Sequence, residues 1–70
     1  MKAKSLIGTK VYDKDAIEIG KISDMEINTS SFSVEKIFIK SGMTKQHEIG
    51  PQHIDRVGDS VLLNVRKDDL

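Results

Sequence analysis

Cysteine is absent from this 70-residue chain, so neither a disulfide framework nor a thiolate metal site is available to it. A charge surplus is absent too: 11 basic residues stand against 11 acidic ones. Binders of nucleic acid advertise themselves by a basic excess or stripe. Here only Lys2 and Lys4 form a basic pair free of neighbouring acids, and the end Arg66-Lys67-Asp68-Asp69 cancels itself. No apolar run approaches the ~20 residues of a membrane span. The start, Met-Lys-Ala-Lys-Ser-Leu-Ile-Gly, carries no apolar stretch long enough for a signal peptide. These absences lead to the expectation of a soluble, cytoplasmic protein with no membrane insertion. At 7.8 kDa there is room for one domain. A core that small stabilises a fold only marginally, and with no cysteine to staple it, self-association is the expected supplement.

A helical stripe is also missing; the apolar residues come in short runs divided by turn signals. Ser5 to Tyr12 reads as a strand broken by Gly8-Thr9, and Asp13-Lys14-Asp15 as a turn in which Asp side chains cap local backbone groups. Residues 17 to 27 read as one long strand. Ile17 and Ile19 share a face, Ile22 breaks the parity, and Met25 and Ile27 restore it, which predicts a bulge or bend at Gly20. Asn28 to Ser31 is a polar turn leading into a return strand from Phe32 to Lys40. Gln46 to Ile49 is a short strand ended by Gly50-Pro51, since proline cannot donate to a ladder. Gln52 to Val57 is expected to form a helical or 3₁₀ turn with Ile54 and Val57 inward. Gly58-Asp59 turns the chain into a last strand, Ser60 to Val65, with Val61, Leu63 and Val65 on one face. The predicted fold is all-β: a small, strongly bent barrel of five to six strands with one short helical turn, closed so as to remove its edges. It fills residues 1–70 as a single domain, with its core in about 4–66 and a frayed tail at 67–70. Gly8, Gly20, Asp24, Gly50, Pro51 and Gly58 are the expected structural bends.

The order of these features resembles the PRC-barrel family, named for the photosynthetic reaction-centre H subunit. The resemblance is carried by Leu6-Ile7-Gly8-Thr9-Lys10-Val11-Tyr12-Asp13, by Glu18-Ile19-Gly20-Lys21-Ile22-Ser23-Asp24-Met25, and by Val34-Glu35-Lys36-Ile37-Phe38-Ile39. It continues through Ile49-Gly50-Pro51, Ile54-Asp55 and Val61-Leu62-Leu63. It implies a compact bent barrel that docks onto other macromolecules. Members include a domain of a bacterial ribosome maturation factor, the cytoplasmic domain of the reaction-centre subunit, and stand-alone archaeal proteins, some of which resemble cell-division scaffolds. These 70 residues include neither the ribosome factor's extra domain nor the membrane helix, and the expectation is therefore of a stand-alone member. The fold as such has no catalytic residues to carry over.

The residues themselves point the same way. His47 and His53 beside Glu48 or Asp55 lack the four fixed ligands of a structural metal site, so no metal is expected. Asp13, Asp15 and Asp59 sit in turns; Asp24, inside a strand, is expected to bond backbone at the bend. Ser30, Ser31 and Ser33 have no nearby base, and the glycines are too scattered for a phosphate loop, so no catalytic group and no cofactor are expected. The oddity is the strand Val34 to Lys40. Ile37 and Ile39 share one face, while Val34, Lys36, Phe38 and Lys40 share the other, and Leu62 likewise opposes Val61 and Leu63. A small barrel has one interior, so an apolar second face suits a partner. The expected function is a non-enzymatic adaptor, homodimeric, that recruits a protein through Val34, Lys36, Phe38, Lys40 and Leu62. Cell-division scaffolding in an archaeon is its concrete version. The alternative is an RNA-metabolism or ribosome-maturation factor, for which Lys10, Lys21, Lys36, Lys40 and Lys45 would gather on one face. A third reading, a small-ligand sensor, requires a large internal cavity.

Overall fold

The computed structural model describes all 70 residues. Six strands form one curled sheet: β1 (Lys10–Tyr12), β2 (Glu18–Asn28), β3 (Ser33–Ser41), β4 (Lys45–Ile49), β5 (Ile54–Val57) and β6 (Val61–Leu63). Their order across the sheet is β4-β3-β2-β1-β6-β5, and every pairing is antiparallel except β1 with β6. The all-β barrel of five to six strands is therefore what the chain forms. It is a half-barrel, however: β4 and β5 lie at the two ends of the sheet order and do not pair with each other, so closure does not remove the edges as expected. Three short helical segments accompany the sheet instead of one: a turn of helix, α1, at Ala3–Leu6, and 3₁₀ turns at Pro51–His53 and Lys67–Asp69.

The concave face holds eight buried apolar side chains: Val11, Ile19, Ile22, Ile37, Ile39, Ile49, Val61 and Leu63. On β2 the inward residues fall at spacing three, which a regular strand forbids. Two bulges account for this. Val11 faces Gly20 while Tyr12 faces Glu18, leaving Ile19 as an extra residue beside the glycine. Ile22 then faces Ile39 while Asp24 faces Phe38, leaving Ser23 as a second. Each extra residue switches the parity, so Ile19, Ile22 and the half-buried Met25 all reach the core. Gly20 is required here for a separate reason: a Cβ would collide with the backbone carbonyl of Lys40 on the neighbouring strand.

A third shift lies near the tip of the β2–β3 hairpin. Glu26 faces Lys36 and Ile27 faces Val34, so Glu35 is the extra residue. Beyond it the two strands pair only with each other, and Ile27 is 47% exposed. Asn28 closes the hairpin, its Oδ1 accepting the N–H groups of Ser30 and Ser31 at 2.9 and 3.2 Å. Phe32, expected to open the strand, stands instead at the tip in the left-handed region, φ 55°, and 83% exposed.

Other local expectations are corrected. Residues 5 to 12 are not one strand. Leu6 ends the helical turn α1, and Gly8 takes φ +87°, a conformation other residues rarely adopt. That lets the Gly8 N–H donate to the Ile22 carbonyl at 2.7 Å while the Ile22 N–H donates to the Thr9 carbonyl at 3.0 Å. Leu6 still packs on the core. The turn expected at 52–57 is confined to Pro51–His53, where Gly50 precedes the proline; Ile54–Val57 is an edge strand with Val57 42% exposed. Register again explains it, since Ile54 faces Leu63 and Arg56 faces Leu62, leaving Asp55 as an extra residue. Gly58 turns the chain into β6, its N–H donating to the Ser60 carbonyl at 2.9 Å. The last strand spans only Val61–Leu63, with Val65 half-buried against the core.

Lys67, the first of the residues 67–70 expected to fray, is tied to the fold as well. The Lys67 N–H donates to Asp13 Oδ2 at 2.8 Å. Asp13 Oδ1 accepts from the Asp15 and Ile17 N–H groups at 2.9 and 2.8 Å. One carboxylate 1% exposed thus holds both the turn after β1 and the C-terminal segment. Burial pushes this carboxyl up, but the three N–H donors and the Lys67 charge outweigh it and hold it below its ordinary 3.8.

Candidate interaction surface

The convex face of the sheet carries every other residue, and register places these side chains in transverse rows. In one row Glu18, Tyr12, Leu62 and Arg56 lie opposite one another across β2, β1, β6 and β5. Tyr12 and Leu62 are half-buried, while Glu18 and Arg56 are exposed. Their chain neighbours Val11, Val61 and Leu63 fill the core, so this row faces away from it. Leu62 also lines an open cleft with Lys14, Asp55, Leu63 and Asn64.

A second row lies two residues along β1. Lys10 faces Lys21, and Lys21 faces Lys40. All three are exposed, and a shallow depression opens beside them between Glu18, Gly20, Lys21, Lys40 and Gly42.

A third convex group surrounds Phe38, which is half-buried and faces Asp24 on β2 and Glu48 on β4. Lys36 is drawn to this group by an ion pair with Glu48 at 2.9 Å. Its bond to Glu48, that charge, and the charges of Glu26 and Glu35 hold its ammonium above its ordinary 10.5. Asp24 itself is exposed, and its Oδ1 accepts the Met25 N–H at 2.8 Å beside the Ser23 bulge.

Four of the five residues expected to form the interaction surface therefore share the convex face: Lys36, Phe38, Lys40 and Leu62. Val34 does not. The Glu35 bulge turns it to the concave side, where it packs against the core. The convex face is also split: Phe38 and Leu62 belong to opposite halves of the sheet, separated by β2 and β1. Of the five lysines expected to gather, Lys10, Lys21 and Lys40 form a row and Lys36 is paired with acid, while Lys45 lies opposite Ser41 at the turn, on the same side as His47 and Ile49. Tyr12 and Arg56 were not legible as site residues. Tyr12 alternates with Val11 and Asp13, both buried, but the burial of a turn aspartate is seen only in the structure.

The histidines are kept apart. His47 faces Ile39 on the concave side of β4. His53 accepts the Gly50 N–H through Nδ1 at 3.2 Å, and its carbonyl accepts the Asn64 N–H at 2.9 Å, so it fastens the 3₁₀ turn to the strand β6 region. No group of three His, Cys, Asp or Glu residues is placed to hold a metal ion. The two concavities of the molecule both open to solvent. No helix is long and apolar enough to cross a membrane.

Compared with curated proteins, the sequence finds no match. Against protein families it matches the PRC-barrel domain over residues 1–70, the whole chain. The bulged β2, the glycine pressed on Lys40 and the curled six-stranded sheet agree with that match, and the chain belongs to the PRC-barrel family, a small domain type often engaged in protein interactions.

Proposed function

We propose that this PRC-barrel is a non-enzymatic adaptor that self-associates as a homodimer and recruits another protein through the convex face of its sheet. The observation that carries the proposal is the row Tyr12–Leu62–Arg56, three side chains in register on the face that does not build the core. Tyrosine and arginine are enriched among the energetic hot spots of protein interfaces, and here they flank the apolar Leu62. Phe38, half-buried among Asp24, Glu48, Lys36 and Lys40, is a second anchor with a charged rim.

Surface area supports the dimer. The chain exposes 4996 Å², about 600 Å² more than the ~4,400 Å² typical of a monomer of this mass. A stable interface buries on the order of 800 Å² per partner. The edges β4 and β5 remain available to it. The resemblance to archaeal members supplies the specific version, a cell-division scaffold acting in the cytoplasm.

The second reading, a ribosome-maturation or RNA-metabolism factor, draws on the Lys10–Lys21–Lys40 row. Lys36 and Lys45 standing elsewhere, and the acids Asp24, Glu26 and Glu48 on the same face, weigh against a nucleic-acid track.

Leu62→Asp and Phe38→Asp test the adaptor. Both sit outside the core, so the fold should persist by circular dichroism. The expected result is a loss of at least tenfold in self-association by sedimentation or in capture of the partner from lysate. If both variants leave both readouts unchanged, the convex face is not the recruiting surface.

A further inference from the structure

The Lys10–Lys21–Lys40 row is an electrostatic fault in a chain whose net charge is zero. Side chains directly opposite in a sheet stand about 5 Å apart, and like charges so placed oppose each other. Lys10 has one relieving partner, Glu18, at 3.8 Å. Lys21 and Lys40 have none within ion-pair distance, although Lys36, also on β3, is held by Glu48 at 2.9 Å. The fold thus pairs one lysine of β3 and leaves the next on the same face bare. Beside the bare pair lies a depression of about 290 Å³, walled by Glu18, Gly20, Lys21, Lys40 and Gly42. Gly20 and Gly42 keep its walls low, since neither brings a side chain.

We infer that this row is a binding site for an acidic segment of a partner protein. The inference rests on the adaptor reading and names the chemistry of what is recruited. Three ammonium groups spanning about 10 Å across the sheet match two or three carboxylates of an extended peptide. Tyr12 lies two residues along β1 from Lys10 and leads to Leu62, so an apolar residue flanking those carboxylates has an anchor in reach. A long polyanion fits less well. The same face turns acidic along the strands at Asp24, Glu26 and Glu48, which opposes a continuous phosphate track.

The test uses the full chain and three fluorescein-labelled probes. These are an octapeptide of Asp and Glu with one central Leu, its Asn/Gln counterpart, and a single-stranded RNA 12-mer, each followed by anisotropy at 50 and 200 mM salt. The acidic peptide should bind, weaken with salt, and lose at least tenfold in affinity to the double variant Lys21→Gln/Lys40→Gln. The amide peptide should not bind, and Lys67→Gln, on the C-terminal turn, should bind as the parent does. A second readout separates site from scaffold. Removing opposed charges should raise the melting temperature by ~2–4 °C in the double variant, whereas lysines with a structural role would lower it. Three results would overturn the inference: RNA bound more tightly than the peptide through the same lysines, no binding of the acidic peptide, or an equal loss in Lys67→Gln. Failure here is separable from failure of the adaptor reading. If the lysine variant still captures a partner that Leu62→Asp loses, the adaptor stands and the acidic ligand falls.

Discussion

The two halves of the sheet are built differently. β2, β3 and β4 follow one another along the chain and pair as antiparallel hairpins. In the other half β1 meets β6, from the far end of the chain, in a parallel contact with Val11 facing Val61 and Tyr12 facing Leu62. The first half is long-stranded and bulged, and its convex face is charged around a single aromatic. The second is made of strands of three or four residues, and its convex face carries Tyr12, Leu62 and Arg56. Local hairpins can be extended by turn chemistry alone. A non-local parallel pair must be held by the core beneath it and by ties at its ends, and closing it is entropically slow. Of the proposed anchors, Tyr12 and Leu62 sit over the half that depends most on tertiary contacts, and Phe38 sits over the other.

The largest effect should come from a cut in the shared core. Ile39→Ala in the first half and Leu63→Ala in the second should each lower stability by about 3 kcal/mol. Both residues are fully buried in one cluster, so the two halves should unfold together. Tyr12 is the one tyrosine, and tryptophan is absent, so its fluorescence reports the second half while circular dichroism reports the whole sheet. Coincident urea transitions by the two probes are expected in both variants. Separate transitions for Leu63→Ala would mean that the halves are independent units.

Asp13→Asn should come next, and it sharpens the contrast because it loosens the ties at the ends of the second half, where β1 leaves for β2 and where the chain ends. It removes the charge that holds the turn after β1 and the Lys67 segment. The folded carboxyl lies below its ordinary 3.8, so it contributes stability above that value and loses it as pH falls through the lower folded one. Thermal melts should therefore show the parent weakening as pH drops below about 4. The variant should be less stable at neutral pH and flatter across that acid range. Equal profiles would remove Asp13 from the account.

The smallest effect belongs to the first half. Glu48→Gln breaks the ion pair to Lys36, in which both side chains are about half exposed. Exposed pairs contribute little, so the melting temperature should stay within error of the parent. A clear fall would show that the Phe38 surroundings are more rigid than their exposure implies.

Much of the first half is legible in the amino-acid sequence. The broken parity of Ile17, Ile19, Ile22 and Met25 announces a distorted β2, and Gly20 stands beside its first bulge, where a Cβ would also collide with the Lys40 carbonyl. The Asn28–Ser31 turn follows from its cluster of polar turn residues, and the shared face of Ile37 and Ile39 from period-two patterning. The bulges at Ser23 and Glu35 have no such marker, since a bulge needs no particular residue type, and the second of these moves Val34 from the expected surface to the core.

By itself, then, the sequence determined the class of fold, the approximate strand positions, the lack of cysteine chemistry and the neutral charge. Those follow from local preference and composition, which each residue carries with it. Only the tertiary structure decided that β1 lies beside β6, that Asp13 reaches Lys67, and that Lys10, Lys21 and Lys40 stand in one row. Register between strands distant in the chain is set by how the bulged core packs, and no single strand encodes it.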